Sequence, residues 1–83
     1  MSMKFSEIAE FLRKRGYTEY ETKDHHMVFY EFDKMDFLYN DCAKRFEFDY
    51  YDGEVDKVVM TQYWFNTTSF KDIFTIEELQ QSL

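Results

Sequence analysis

Five carboxylates, Glu47, Asp49, Asp52, Glu54 and Asp56, fall within one ten-residue stretch and alternate with aromatic and apolar side chains. Carboxylates at that density offer three kinds of chemistry. A hydrolytic acid/base pair needs one acid held in an apolar pocket, where its protonated form survives at neutral pH. Strand-like alternation instead directs Glu47 and Asp49 toward solvent, which argues against an enzyme. Metal binding would draw on His25 and His26 with Asp24 or Cys42. Adjacent histidines on a strand or turn point apart, however, and no Cys-x-x-Cys or His-x-x-x-His spacing accompanies them. No metal or cofactor is expected. The third chemistry is recognition by charge, in which fixed negative groups stand in for phosphates and fit a basic surface.

The wider segment strengthens the third reading. Nine carboxylates lie between Glu31 and Asp56, opposed only by Lys34, Lys44 and Arg45. The acidity is uneven along the chain. Residues 1–16 carry Lys4, Arg13, Lys14 and Arg15 against Glu7 and Glu10, whereas the remainder is strongly acidic and brings the whole chain to −7. Such a charge repels DNA and anionic membranes and steers the protein toward basic partners. Phe46, Phe48 and Tyr50 are of the kind that stack nucleobases on a sheet. They are flanked by Glu47, Asp49 and Asp52, though, and phosphate contact requires Lys or Arg. Direct nucleic-acid binding is not expected. The Arg13-Lys14-Arg15 triplet is explained by its place in the last turn of a helix, where cations complement the backbone dipole.

Other catalytic patterns are missing. Glycine occurs only at positions 16 and 53, so no glycine-rich phosphate loop can form, and no Walker, Rossmann or nucleophile-elbow pattern is present. Ser6, Ser69 and Ser82 have no neighbouring histidine placed as a base. The lone Cys42 cannot close an intrachain disulfide, which points to a reducing cytoplasm. No apolar run approaches the ~20 residues of a membrane span. The start, Met1-Ser2-Met3-Lys4-Phe5, lacks a signal-peptide core. Asn66-Thr67-Thr68 matches a glycosylation sequon, but without an export signal it is read as chance.

The elements that must position the acids follow from periodicity. Eighty-three residues make one domain, 1–83, with an expected folded surface of roughly 5,400 Å². Phe5, Ile8, Ala9 and Leu12 fall at helical spacing, with Ser6 as the expected N-cap and Gly16 ending the helix in a left-handed conformation. Tyr17 to Thr22 reads as a short edge strand and Lys23-Asp24-His25 as a turn. His26 to Asp33 alternates, with Val28, Tyr30 and Phe32 on one side and Met27, Phe29, Glu31 and Asp33 on the other. A turn at 33–36, a short strand at 37–40 and a turn at Asn40-Asp41 come next.

Arg45 to Tyr51 is the clearest strand, followed by the hairpin signal Asp52-Gly53 and a return strand from Val55 to Phe65. A two-residue loop would set Asp49 against Asp56, a repulsive pair. A three-residue loop, Tyr51-Asp52-Gly53, would set Glu47 against Lys57 and is preferred. Ser69 to Phe74 reads as a helical turn or loop. Thr75 and Glu78 form a capping box and Phe74 and Leu79 a hydrophobic staple, opening a short closing helix. The expected architecture is α+β: an N-terminal helix, an antiparallel meander of four or five strands and a short C-terminal helix, with both helices on one face.

Aromatic residues number eighteen and would bury about 3,600 Å² in total, which a domain of this size can hold. Rings lie on both sides of the 28–32 segment and of Tyr63-Trp64-Phe65. Two readings of the open sheet face stand side by side: tyrosines that stabilise cross-strand pairs among carboxylates, or an aromatic patch that docks a partner or a second copy.

A short helix ending in Arg15-Gly16-Tyr17, a meander, and the closing Phe74-Thr75-Ile76-Glu77-Glu78-Leu79-Gln80 resemble small early proteins of phages that infect low-GC Gram-positive bacteria. The resemblance spans most of the chain in style, with the Thr-x-Glu-Glu-Leu motif its most specific part. That broad class includes acidic inhibitors of host defence, among them anti-CRISPR proteins that imitate DNA. The resemblance implies an inhibitor in the host cytoplasm without naming its target, and no functional residue carries over. Composition, charge and resemblance together lead to a non-enzymatic acidic protein that docks on a basic groove of a host protein, with nucleic-acid-binding proteins among the candidate targets. Its contact residues would be Glu47, Asp49, Tyr51, Asp52, Glu54 and Asp56. The alternative is a small structural or homodimerising domain.

Overall fold

A computed structural model describes residues 2–32 and 42–83 of the chain. Strand β1, Met3–Lys4, leads directly into helix α1, Phe5–Lys14. Strands β2 (Thr18–Lys23), β3 (His26–Tyr30), β4 (Cys42–Asp49), β5 (Glu54–Val55), β6 (Val58–Trp64) and β7 (Thr67–Ile73) follow, and helix α2, Ile76–Gln81, closes the fold. Among the described residues the main sheet is antiparallel and five-stranded, in the order β2-β3-β4-β6-β7, while β1 and β5 pair separately. The fold is therefore the expected α+β arrangement. The accessible surface is 5488 Å², against roughly 5,400 Å² from the mass alone.

Register fixes which side chains share a face. Phe29 stands opposite Phe46, Met27 opposite Phe48, and Phe46 opposite Met60. Together with Val58 and Ile73 these residues form the covered face, onto which α1 sets Ile8, Ala9 and Leu12 and α2 sets Leu79. Both helices thus lie on one side of the sheet. The other side carries Val28, Tyr30 and Ala43, with Tyr63 packed against them. Phe29 and Phe46 are fully buried, and the ring of Tyr17 meets Phe46 edge-on at 5.5 Å.

Several local expectations are corrected. Ser6 lies inside α1; the N-cap is Lys4, with no side-chain cap, because the chain enters the helix straight from β1. Gly16 does take the left-handed conformation, at φ 86°. Strand β3 stops at Tyr30, and Glu31 accepts a bond from the Lys44 amide at 2.7 Å instead of continuing the alternation. Strand β4 starts at Cys42 rather than Arg45 and ends at Asp49, leaving Tyr50 and Tyr51 beyond it. The segment read as helical turn or loop, Ser69 to Phe74, belongs to β7 up to Ile73, joined to β6 by a tight turn at Phe65-Asn66. Thr75 caps α2 as expected, its hydroxyl accepting the Glu78 amide at 3.1 Å. The expected strand at 37–40 and the turns at 33–36 and 40–41 lie outside the described residues.

Tyr17 supplies a pH-dependent prediction. Burial raises its phenol well above the ordinary value, nearby Glu31 adds to the rise, and Arg15 opposes it. A group whose folded-state pKa exceeds its unfolded one contributes stability fully below the unfolded value, near 10, and loses it as pH climbs beyond. Between about pH 9 and 11 the urea midpoint of the native protein should fall more steeply than that of Tyr17→Phe, which has no phenol to ionise. Parallel curves would remove Tyr17 from the account.

Candidate acidic interface

The acids are positioned by a hairpin extension that rises beyond the main sheet. Tyr51 and Glu54 exchange backbone hydrogen bonds at 2.9 and 2.8 Å across Asp52-Gly53. Asp52 at φ 51° and Gly53 at φ 78° are both left-handed, as a two-residue type I′ turn requires. The preferred three-residue loop is therefore wrong, and so is the continuous return strand from Val55 to Phe65. Glu54–Val55 pairs with Met3–Lys4, the chain breaks step at Asp56-Lys57, and the ladder with β4 resumes with Glu47 opposite Val59. The break removes Asp56 from a position facing Asp49, so neither the repulsive pair nor the Glu47–Lys57 pair forms.

The extension is held from below. Val55 and Met3 are buried, the Phe5 amide donates to the Gly53 carbonyl at 2.8 Å, and the Ser2 hydroxyl donates to Glu54 Oε2 at 2.6 Å. These contacts fasten the acid-bearing turn to the N-terminal segment, its backbone to the first residue of α1 and one carboxylate to Ser2 ahead of β1.

The six expected residues divide into two groups. Asp49, Tyr51, Glu54 and Asp56, with Lys57, line one surface concavity of about 230 Å³. Tyr51 stands 70% exposed at its edge, and its ring stacks on His25 at 5.8 Å. Lys57 leans toward Asp72, with Nζ 3.7 Å from Oδ2. Asp52 occupies the exposed tip of the same turn. Glu47 stands apart. It is only 28% exposed, lies on the open sheet face, and has Arg45 Nη2 and His26 Nε2 each at 3.4 Å. Expected to face solvent, Glu47 is instead engaged within the molecule. Asp49 belongs partly to both groups: its carboxylate meets His26 Nδ1 at 2.6 Å yet remains 63% exposed.

Sequence reasoning missed the roles of His26 and Arg45, and it set Lys57 against Glu47 where the structure turns it toward Asp72. His26 and Arg45 are assigned by register, which sets His26 opposite Asp49 and Arg45 opposite Tyr30 and Thr61. Arg45 reaches Thr61 Oγ1 at 3.5 Å, while its Nε is buried without a hydrogen-bond partner. Arg45 alone had a legible signal, its place two residues before Glu47 on one face of the same strand. Lys44, counted among the opposing cations, turns away to the helix-covered face and donates to the Ser82 carbonyl at 2.6 Å.

Among the described residues no group of three or more His, Cys, Asp or Glu side chains is arranged to hold a metal ion, and no helix is long and apolar enough to cross a membrane. No family model, curated protein or solved structure matches the chain at a significant level.

Proposed function

We propose that the chain is a non-enzymatic acidic binding protein that docks the tip of its β4–β6 hairpin on a basic surface of another protein. The phage resemblance extends the proposal to an inhibitor acting on a host protein that handles nucleic acid. One observation carries the reading: Asp49, Tyr51, Glu54 and Asp56 converge on a single concavity whose one cation, Lys57, leans toward Asp72 outside it. Clustered carboxylates beside an exposed ring fit a partner that presents Lys or Arg together with an apolar stem, because the charges steer encounter and the ring supplies contact area. Glu47 is withdrawn from the contact set, since a carboxylate already engaged by Arg45 and His26 offers little free charge.

The reading is tested by immobilising the chain and capturing from the lysate of a low-GC Gram-positive host, at low salt and at about 1 M salt, where the screening length falls to about 3 Å. A specific partner should be retained at low salt and released at high salt. Capture of nothing specific, or of a partner indifferent to salt, contradicts it.

A further inference from the structure

We propose that two copies of this chain associate along β7, extending the sheet edge to edge through a two-fold axis at Phe70. The acidic concavity plays no part in this contact, so it stands or falls separately from the docking reading.

The two edges of the main sheet differ in how they are guarded. Strand β2 has an irregular register between Glu21 and Lys23 and carries Glu19, Glu21 and Lys23, features that blunt an edge against pairing. Strand β7 keeps an unbroken register with β6 from Trp64↔Thr67 to Val58↔Ile73, and among the described residues nothing pairs with its outer side. At its middle Phe70 is 67% exposed. Lys71 and Asp72 cancel, so the strand is neutral in a chain of net charge −7.

The turn geometry states which backbone groups face outward. Phe65 and Asn66 both have positive φ, 45° and 69°, and join Trp64 to Thr67 as a two-residue hairpin, whose closing pair exchanges hydrogen bonds. Alternation from that pair turns the N–H and C=O groups of Thr67, Ser69, Lys71 and Ile73 toward β6. Those of Thr68, Phe70 and Asp72 point away from the sheet, a row of donors and acceptors awaiting a strand.

A second copy matches that row. A continuous sheet must keep its two faces, so antiparallel self-pairing shifts in steps of two and centres on Ser69, Phe70 or Lys71. Centring on Lys71 sets lysine on lysine. Centring on Ser69 runs the strand into the turn at Phe65-Asn66. Centring on Phe70 uses the whole strand: Phe70 meets Phe70 of the other copy, Thr68 faces Asp72, and Ser69 faces Lys71. That register joins each outward N–H to an outward C=O of the other copy, pairs two exposed rings and opposes no like charges.

Sedimentation of the full chain across micromolar concentrations, with amide hydrogen exchange on the same samples, tests the proposal. The native chain should dimerise, and the amides of Thr68, Phe70 and Asp72 should gain protection with concentration, while those of Ser69 and Lys71 are protected throughout. Phe70→Glu and Phe70→Lys should each be folded monomers, because each sets like charges face to face. Mixing the two variants should restore the dimer. A native chain that stays monomeric overturns the proposal. So does a dimer that survives Phe70→Glu, or a mixture that fails to reassociate.

Discussion

Phe46→Ala should come close to unfolding the protein. Phe46 is fully buried at the centre of the central strand, opposite Phe29 on one side and Met60 on the other, with the Tyr17 ring against it. Removing a buried phenylalanine ring costs about 3–5 kcal/mol, through lost transfer energy and the cavity left behind. A chain of this length has about 4–12 kcal/mol in all. The urea midpoint should therefore fall on the order of 2 M, for a typical slope of about 1–3 kcal/mol per molar. Phe70→Ala, on the open face, should change the stability of the monomer by no more than about 0.5 kcal/mol. Equal losses at the two positions would mean that the helices do not cover the face assigned to them.

Charge removal at the hairpin tip should weaken partner capture at least about tenfold and leave the fold unchanged. The variant that separates these effects is Asp52→Asn combined with Asp56→Lys. Asparagine keeps the left-handed turn, since Asn-Gly suits a type I′ turn at least as well as Asp-Gly. Asp56 lies in the break between β5 and β6, where lysine disturbs no ladder pairing. Together they shift the concavity and its rim by three charge units. Affinity should drop about tenfold or more, equivalent to about 1.4 kcal/mol, with the urea midpoint unmoved. Glu47→Lys should do the reverse. It sets a second cation beside the half-buried Arg45 and should cost about 1–3 kcal/mol of stability, so loss of capture in that variant would report on folding. If Asp52→Asn with Asp56→Lys captures the partner as well as the native chain does, the tip is not the contact.

The parts of this fold that were legible in the sequence are those set by local chemistry. Gly16 after a cationic turn, Asp52-Gly53 between alternating runs, and Thr75 three residues before Glu78 each satisfy backbone groups within a few residues, and each lies where expected. The hairpin register was not legible, because the step at Asp56-Lys57 exists to let Glu54–Val55 pair with Met3–Lys4, some fifty residues away in the chain. Strand β7 was hidden for a different reason. Its apolar residues, Phe70 and Ile73, are three apart and mimic a helical turn. The turn before it places Phe65 at positive φ, a conformation that a bulky residue seldom adopts and that no sequence rule anticipates.

The candidate site shows the same division. Alternation placed Glu47 and Asp49 together on the uncovered side of β4, but which of them keeps its charge free depends on cross-strand neighbours. Register brings His26 to Asp49 and lets Arg45 and His26 close on Glu47, so burial and pairing retire Glu47 while Asp49 remains largely open. Convergence of Glu54 and Asp56 on Asp49 depends on the same break in the return strand, and therefore on the N-terminal segment that holds it.

The most direct measurement is a titration of isotopically labelled protein with the captured partner, following backbone amide shifts residue by residue. The acidic-tip account predicts perturbations concentrated at Asp49, Tyr51, Asp52, Glu54 and Asp56, fading with added salt, and little change along Thr18–Lys23. Perturbations centred elsewhere, with the hairpin tip silent, would contradict it.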